Sequence, residues 1–532
     1  MAPYSTPEQL SKAHSTLAET FRNGKTKNLA WRKWQLKQIW WMIEDNKEAI
    51  AAALHKDLHR SQFESYWADI AGLLRDITRQ LDNLEKWTAD ERPDAGFLFG
   101  TLGKAKIVQE PLGVALVIGA WNFPFYLTFM PLLAAVTAGC CVLLKPSEVA
   151  VACQDVMAEI VPKYLDQEAI RIVTGGVSEM TAVLKMKFDQ IFYTGSPAVG
   201  RIISEAAAKN LTPAVLELGG QAPAIVTASA DIDVAAKRVA LSKFTNAGQI
   251  CLCSNHVFVD PSVHDAFVKR ASHWMKQFMS DKDQFVKIIN ERQFDRLSGL
   301  LDKTAGAIVH GGTMSKADRY IEPTIVIDLN VSDSLMSQEL FGPILPVIPA
   351  GYQKACDIIQ SMPHPLGLYI FSSKESEIDY ILTHSQSGGV TINDTIMHAA
   401  VPNAPFGGVG NSGTGAYHGK AGFDAFTHRR TVVTIPSWFD RILRIRYPPF
   451  DQKNIAKVVP KNPGFKRGEG IEDQVIGRST KATLTKWLNT SAKAAFVLFL
   501  LAFTDAKMGG QPKMLEVFAA AYGWIRNKVL GQ

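Results

Sequence analysis

The sequence predicts an α/β fold of two or three packed domains built on parallel sheets. Three observations predict it. A chain of 532 residues exceeds what one simple core holds. Short apolar, β-branched runs alternate with helical stretches through its middle, the texture of βαβ units. Its composition, 47% hydrophobic and 20% charged, is that of a folded globular protein.

From about residue 8 to 86 the pattern is helical. Trp31, Trp34, Ile39, Trp41 and Ile43 recur there among charged residues, and such aromatics are expected in the core. After the loop at 91–103 the texture changes. Runs at 113–119, 141–144, 170–174 and 190–193, each bounded by Gly, Pro or polar residues, read as strands. A second α/β section follows from about 215 to 426, with strands expected at 224–226, 256–259, 347–349 and 390–392. Beyond Tyr447-Pro448-Pro449 the character shifts again: 453–493 is rich in Lys and Arg and poor in acids, and the apolar run 494–503 follows.

Composition also excludes. The net charge of +6 is modest for this length and no long face concentrates cations with aromatics, so no nucleic acid is expected as a partner. The cysteines at 140, 141, 153, 251, 253 and 356 lack the spacing of a disulfide framework, which points to a reducing compartment. Cys251 and Cys253 are too close for CxxC and no Cys/His pair lies nearby, so no metal site is expected. The N-terminus has no basic segment ahead of an apolar one, so no secretory signal is expected.

Four stretches carry the chemistry. In Asn246-Ala-Gly-Gln-Ile-Cys251 a cysteine follows a Gly-Gln turn with little cover from its neighbours, which suits a nucleophilic thiolate, although free cysteines are more often buried fillers. Leu216-Glu217-Leu218-Gly219-Gly220 sets an acid among leucines, where a raised pKa would make a general base, or else a satisfied core acid. Gly119-Ala-Trp-Asn122-Phe-Pro124 puts an amide where a strand ends and a helix begins, a suitable oxyanion donor as well as an ordinary turn residue. Finally, Gly195 and Ser196 follow an apolar strand and open a helix, where a backbone can approach phosphate; the stretch is not GxGxxG.

Together these stretches resemble the aldehyde dehydrogenase superfamily, and within it the class 3 or fatty aldehyde dehydrogenase branch. The resemblance covers about 10–450. Leu144-Lys145-Pro146-Ser147-Glu148, Glu339-Leu-Phe-Gly-Pro343, Pro405-Phe-Gly-Gly-Val-Gly-Asn-Ser-Gly and the Arg446-Tyr-Pro-Pro449 exit add to it in the same chain order. It implies a Rossmann-like cofactor domain, an α/β catalytic domain and a β-bridge for oligomerisation. The boundaries expected are 1–217 for the N-terminal helices and cofactor domain, 218–425 for the catalytic domain, 426–450 for the bridging return and 451–532 for the tail.

By resemblance, Cys251 matches the nucleophile, Asn122 the oxyanion-stabilising amide and Glu217 the general base, at 251 − 217 = 34 residues before the cysteine. Lys145 and Glu148 match positions that hold the adenosine ribose, Gly195 and Ser196 the phosphate-facing turn, and Glu339 and Phe341 the nicotinamide pair. NAD is the expected cofactor, with NADP possible, because a carboxylate at Glu148 favours ribose hydroxyls over a 2′-phosphate. Two departures stand out: Gln221 replaces the usual Lys after the Gly pair, and Cys253 is a second thiol near the nucleophile.

The expected activity is oxidation of a long apolar aldehyde to its acid through a thioester. The branch's substrates are fatty aldehydes and, in fungal members, apocarotenals such as β-apo-4′-carotenal. Tyr126, Phe129 and Met130, on a helix after Asn122, are expected along the tunnel wall and suit either. A CoA-acylating or acyl-phosphate-reducing relative and an inactive membrane scaffold are the other readings of the same groups. The run 494–503 is shorter than a bilayer-spanning helix; with the basic segment before it and a second apolar stretch at 515–530, it suits a surface-lying anchor. A homodimer is expected, peripheral or monotopic on the cytoplasmic side of an intracellular membrane.

Overall fold

Val114–Ile118 and Cys141–Lys145 are aliphatic-rich runs, and they and Gln190–Gly195 are buried along nearly their whole length, as strands covered on both sides must be. In this computed structural model, which describes residues 3–441 and 443–474, they join Ile170–Ile172 and Ala214–Leu218 in one parallel sheet. Numbered along the chain, these five strands lie in the order 3-2-1-4-5. That order belongs to Rossmann-type sheets, and ligands bind them where the order reverses, outside the carboxyl ends of the strands. A short sixth strand, Gly413–Thr414, pairs antiparallel with Ala214–Leu218.

A second sheet has seven strands, in the order Gly389–Ile392, Gly367–Phe371, Pro223–Val226, His256–Val259, Ile344–Pro349, Thr324–Ile327 and Ala307–His310. All neighbours pair in parallel except the last two. Only the Gly219-Gly220-Gln221-Ala222 link separates Ala214–Leu218 of the first sheet from Pro223–Val226 of the second. The sheets therefore meet beside Glu217.

Two stretches run across the expected boundaries. Residues 218–425 do not all belong with the second sheet, because Gly413–Thr414 returns to the first and the helix Gly419–Ala425 packs on the helix Pro124–Ala138. The bridging return 426–450 is not one piece either. Thr427–Val432 forms an antiparallel ribbon with Lys106–Pro111, a strand from the expected cofactor segment, and the chain divides into compact units at Pro436.

The N-terminal region is helical: Pro7–Arg22, Leu29–Glu44, Lys47–Leu58 and Ala71–Thr88. A capping box opens the first, the Thr6 hydroxyl accepting from Gln9 N–H while the Gln9 side chain accepts from Thr6 N–H. Trp31, Ile39 and Ile43 are buried as expected, but Trp34 and Trp41 are 47% and 52% exposed. Those two lie seven residues apart, on the side of the helix opposite Leu36, Ile39 and Ile43.

The second unit begins at Ser437. Its described part holds short turns and the four-residue helix Ile455–Val458. The apolar stretches at 494–503 and 515–530 lie outside the described residues. Among the described residues, no helix is long and apolar enough to cross a membrane.

Candidate active site

The first sheet delivers its candidate residues at the carboxyl ends of its strands. Lys145 ends Cys141–Lys145, Glu148 follows by one turn, and Gly195 ends Gln190–Gly195. Ser196 caps the helix Pro197–Lys209, its hydroxyl accepting from Val199 N–H at 3.4 Å. Lys145 is buried and ion-paired with the half-buried Glu148. A Cβ on Gly195 would lie 2.2 Å from the Tyr193 hydroxyl, so any larger residue at this turn would have to displace the Tyr193 ring. Val199 and Ile202, which the sequence reading missed, are exposed one turn apart on the same helix and form an apolar ledge beside its start.

Cys251 follows a turn, Thr245–Gly248, whose residues Asn246, Ala247 and Gly248 have φ of 49°, 50° and 69°. Three consecutive left-handed residues store strain and persist only where surroundings enforce them. A Cβ on Gly248 would lie 2.4 Å from the main-chain oxygen of Gly342, so this loop presses directly against the Glu339–Phe341 segment. That segment is held in turn by Arg296, which donates to the main-chain oxygens of Glu339 and Leu340, and by Asn255 Oδ1, which accepts from Leu340 N–H.

Cys251 lies deep yet is partly exposed. Its sulfur accepts from its own N–H and that of Leu252, which favours thiolate. Low dielectric surroundings, then the charges of Glu339 and Glu217, outweigh this and push the thiol up to about 12. Glu217 is buried, neither carboxylate oxygen has a hydrogen-bond partner among the described residues, and burial holds its pKa well above 4.5. Burial also raises Glu339, to about 8, against a hydrogen bond from Gly220 N–H and the charges of Arg296 and Lys243. Gly219 makes that approach possible, since a Cβ there would meet Glu339 Oε2 at 2.1 Å.

Asn122 is buried, its Nδ2 donating to the main-chain oxygen of Gln249 at 3.1 Å, which ties it to the Cys251 loop. Phe341, at a φ of 49°, stands edge-on to Trp121 at 5.3 Å. The charges of Glu339 and Glu217 thus both reach the Cys251 thiol, and Asn122 is bound to the thiol's own loop. The two departures are also explained. Gln221 Nε2 donates to Met336 O at 3.0 Å and so tethers the glycine turn, and Cys253 is a buried filler whose thiol donates to Ser242 O at 3.2 Å.

The wall around the thiol differs from the one expected. Phe129 is fully buried and Met130 nearly so, both in the main core, with Phe129 beside Phe125. Phe123, Ile396, Ala399 and Phe406 instead cluster with Cys251 on Ile250, Leu252 and Leu366. Phe406 stacks with His398 and with His418, and His418 meets Tyr126 edge-on.

A family model described as the aldehyde dehydrogenase family matches residues 1–432. The chain belongs to the aldehyde dehydrogenase family. It is 42% identical over 440 residues to the dimeric NADP-preferring aldehyde dehydrogenase of Rattus norvegicus, covering 82% of this chain and 96% of that one. It is 41% identical over 462 residues to the beta-apo-4′-carotenal oxygenase of Neurospora crassa, covering 85% and 86%. A solved structure of Staphylococcus aureus AldH in a substrate-bound state matches with a TM-score of 0.78 at 35% identity, over 80% of this chain and 94% of that one.

As a member of this family the chain is an NAD(P)-dependent aldehyde dehydrogenase that oxidises an aldehyde to its acid. The crevice fits that cofactor. A helix start preceded by a glycine suits a pyrophosphate, and the Lys145–Glu148 pair offers both a donor and an acceptor to ribose hydroxyls.

Proposed function

We propose that this enzyme oxidises a long apolar aldehyde through a thioester on Cys251. The observation that carries the reading is the apolar cluster of Phe123, Ile396, Ala399 and Phe406 around that thiol. Cys251 gives up its proton to solvent water as its sulfur adds to the carbonyl carbon, and that is the proton the reaction releases overall. The alkoxide that forms takes the second N–H of Asn122 and the main-chain N–H of Cys251. NAD(P), when bound, supplies the positively charged ring that accepts hydride from the aldehyde carbon. Glu217 then takes a proton from water as that water attacks the thioester, the acid leaves, and the thiol is restored.

Similarity to a carotenal-acting relative supports an apocarotenal beside a fatty aldehyde as substrate. A panel of short aldehydes, hexadecanal and an apocarotenal, with and without CoA, tests the reading. Acid should form without CoA, and kcat/KM should rise roughly 3- to 4-fold per methylene until the tunnel is filled, following ~0.8 kcal/mol per buried CH₂. A flat dependence on chain length, or an absolute need for CoA, would overturn it.

NAD is the proposed preference, because Glu148 faces the ribose site with a negative charge. Glu148→Ala should improve kcat/KM for NADP relative to NAD by about tenfold, roughly 1.4 kcal/mol; an unchanged ratio of the two specificity constants would place cofactor choice elsewhere.

A homodimer is proposed through the Lys106–Pro111 and Thr427–Val432 ribbon. A two-stranded ribbon is marginal alone, which supports a partner strand or face. The tail, 451–532, is proposed as the anchor of a peripheral or monotopic enzyme on the cytoplasmic side of an intracellular membrane. Truncation after Val459 should move the protein from membranes to the soluble fraction and spare oxidation of short aldehydes. Vesicle binding by the intact chain should weaken with salt without vanishing, because only the basic part is screened. A truncated enzyme that stays on membranes would sink the anchor.

A further inference from the structure

Among the described residues, Arg60 is the largest side chain with no solvent exposure. It lies in the short link between Lys47–Leu58 and Gln62–Ser65, far in sequence from the catalytic loops, and no step above uses it. One guanidinium nitrogen pairs with Asp69, also fully buried, at 2.5 Å. Another donates to the main-chain oxygen of Asn122 and to Asn246 Oδ1, each at 2.6 Å. The guanidinium lies 4.8 Å from the Phe123 ring centre.

The partners of Arg60 are joined to one another. Asn246 Nδ2 donates to the main-chain oxygens of Asn122 and Gln249, at 3.1 and 3.0 Å. Asn122 Nδ2 donates to the same Gln249 oxygen. Glu64 Oε1 accepts from Asn246 N–H at 2.7 Å, and Asp69 Oδ1 accepts from Tyr126 N–H at 2.9 Å, in the first turn of Pro124–Ala138. One stretch, 60–69, thereby grips both the loop that carries Asn122 and the left-handed turn that leads to Cys251.

A buried ion pair is weak evidence for stability, since a packed apolar group of similar volume is often as good. What a guanidinium offers here is a rigid fork that reaches a carboxylate and two loops at once, which a lysine ammonium cannot reproduce. We propose that Arg60, with Asp69 and Glu64, is a positioning residue that fixes the Asn122 amide against the Cys251 loop, so that its second N–H faces the oxygen of the reacting carbonyl. The proposal rests on the roles given above to Asn122 and Cys251.

Arg60→Lys tests it, because it keeps a charge beside Asp69 but cannot reach Asn122 O and Asn246 Oδ1 together. The pre-steady-state burst of NADH should slow roughly 10²-fold, the scale on which a misplaced catalytic group is felt. The KM for cofactor and the cooperative thermal transition should be kept. Combined with Asn122→Ala, the substitution should add no further loss, since it acts through that amide. Asn246→Asp gives a second route if Arg60→Lys does not fold: it keeps the acceptor for Arg60 and turns the donor to Asn122 O and Gln249 O into an acceptor, so the burst should fall while the KM for cofactor is kept. Losses that multiply in the double variant, or a full burst in Asn246→Asp, would overturn the clamp alone. A normal burst in Asn122→Ala would overturn the oxyanion role of Asn122 itself, and the clamp with it.

Discussion

Cys251→Ala should abolish aldehyde oxidation, by about 10⁴-fold or more as for loss of other covalent nucleophiles, while Cys253→Ala should keep most of the activity. The two thiols are separated by a single residue, yet their surroundings differ. Both belong to the same apolar cluster, but Cys251 is partly exposed and receives two main-chain N–H groups at its sulfur. Cys253 is buried and spends its thiol on Ser242 O. NADH formation reads the first outcome, and mass spectrometry of the acylated protein reads which thiol carries the acyl group. A dead Cys253 variant with an active Cys251 variant would reverse the assignment. Because the Cys251 thiol is pushed up to about 12 in the free enzyme, and only thiolate alkylates, its reaction with iodoacetamide should keep accelerating as pH rises from neutrality to 10. A rate that levels off by about pH 10 would mean an ordinary thiol, whose pKa lies near 9.

The candidate trio stands out in the sequence because each member sits in a short, chemically peculiar string. An acid among leucines before two glycines needs no long-range knowledge to look odd, and the structure adds the reason for the glycines: Gly219 is where Glu339 closes in. Glu339 and Phe341 likewise sit in a compact string whose neighbours hold it by the backbone. The apolar wall was not legible. Phe123, Ile396 and Phe406 come from three segments that only the packing of two sheets unites, and helical spacing after Asn122 pointed instead to Phe129 and Met130, which face the core.

Half of the bridging ribbon was hidden for a similar reason. Lys106–Pro111 carries Lys, Gln, Glu and Pro and reads as a loop, and its partner Thr427–Val432 lies more than three hundred residues away. Even Ala214–Leu218, the strand that presents Glu217, was visible only as a motif and not as a strand. The Arg60 grip was hidden too, although Asn246, its contact near the thiol, and Gln249, to which Asn246 donates, were inside a string already singled out. A sequence shows that an Asn precedes a nucleophile; it does not show a guanidinium from the N-terminal helices seated on that Asn.

Glu217→Gln should leave the first turnover and block the later ones. The burst of NADH reports steps up to the thioester, for which Cys251 and Asn122 suffice; release of the acid needs a base for water. Loss of a general base slows its own step by about 10²- to 10⁴-fold, so steady-state turnover should fall by at least about 10²-fold and acyl-enzyme should accumulate. In the native enzyme the same carboxyl should make deacylation rise with pH, because burial holds its pKa well above 4.5 and only the deprotonated form accepts a proton. Stability should move the other way. Above pH 4.5 the unfolded chain has lost a proton that the folded state keeps, so Glu217 costs folding free energy that grows until the folded pKa is reached. Glu217→Gln removes that cost and should unfold at a higher temperature than the native enzyme at pH 8, with the gap closing toward pH 4. A lost burst with cofactor still bound would instead place Glu217 in the first step, and Glu339, raised to about 8 beside the same thiol, would become the base.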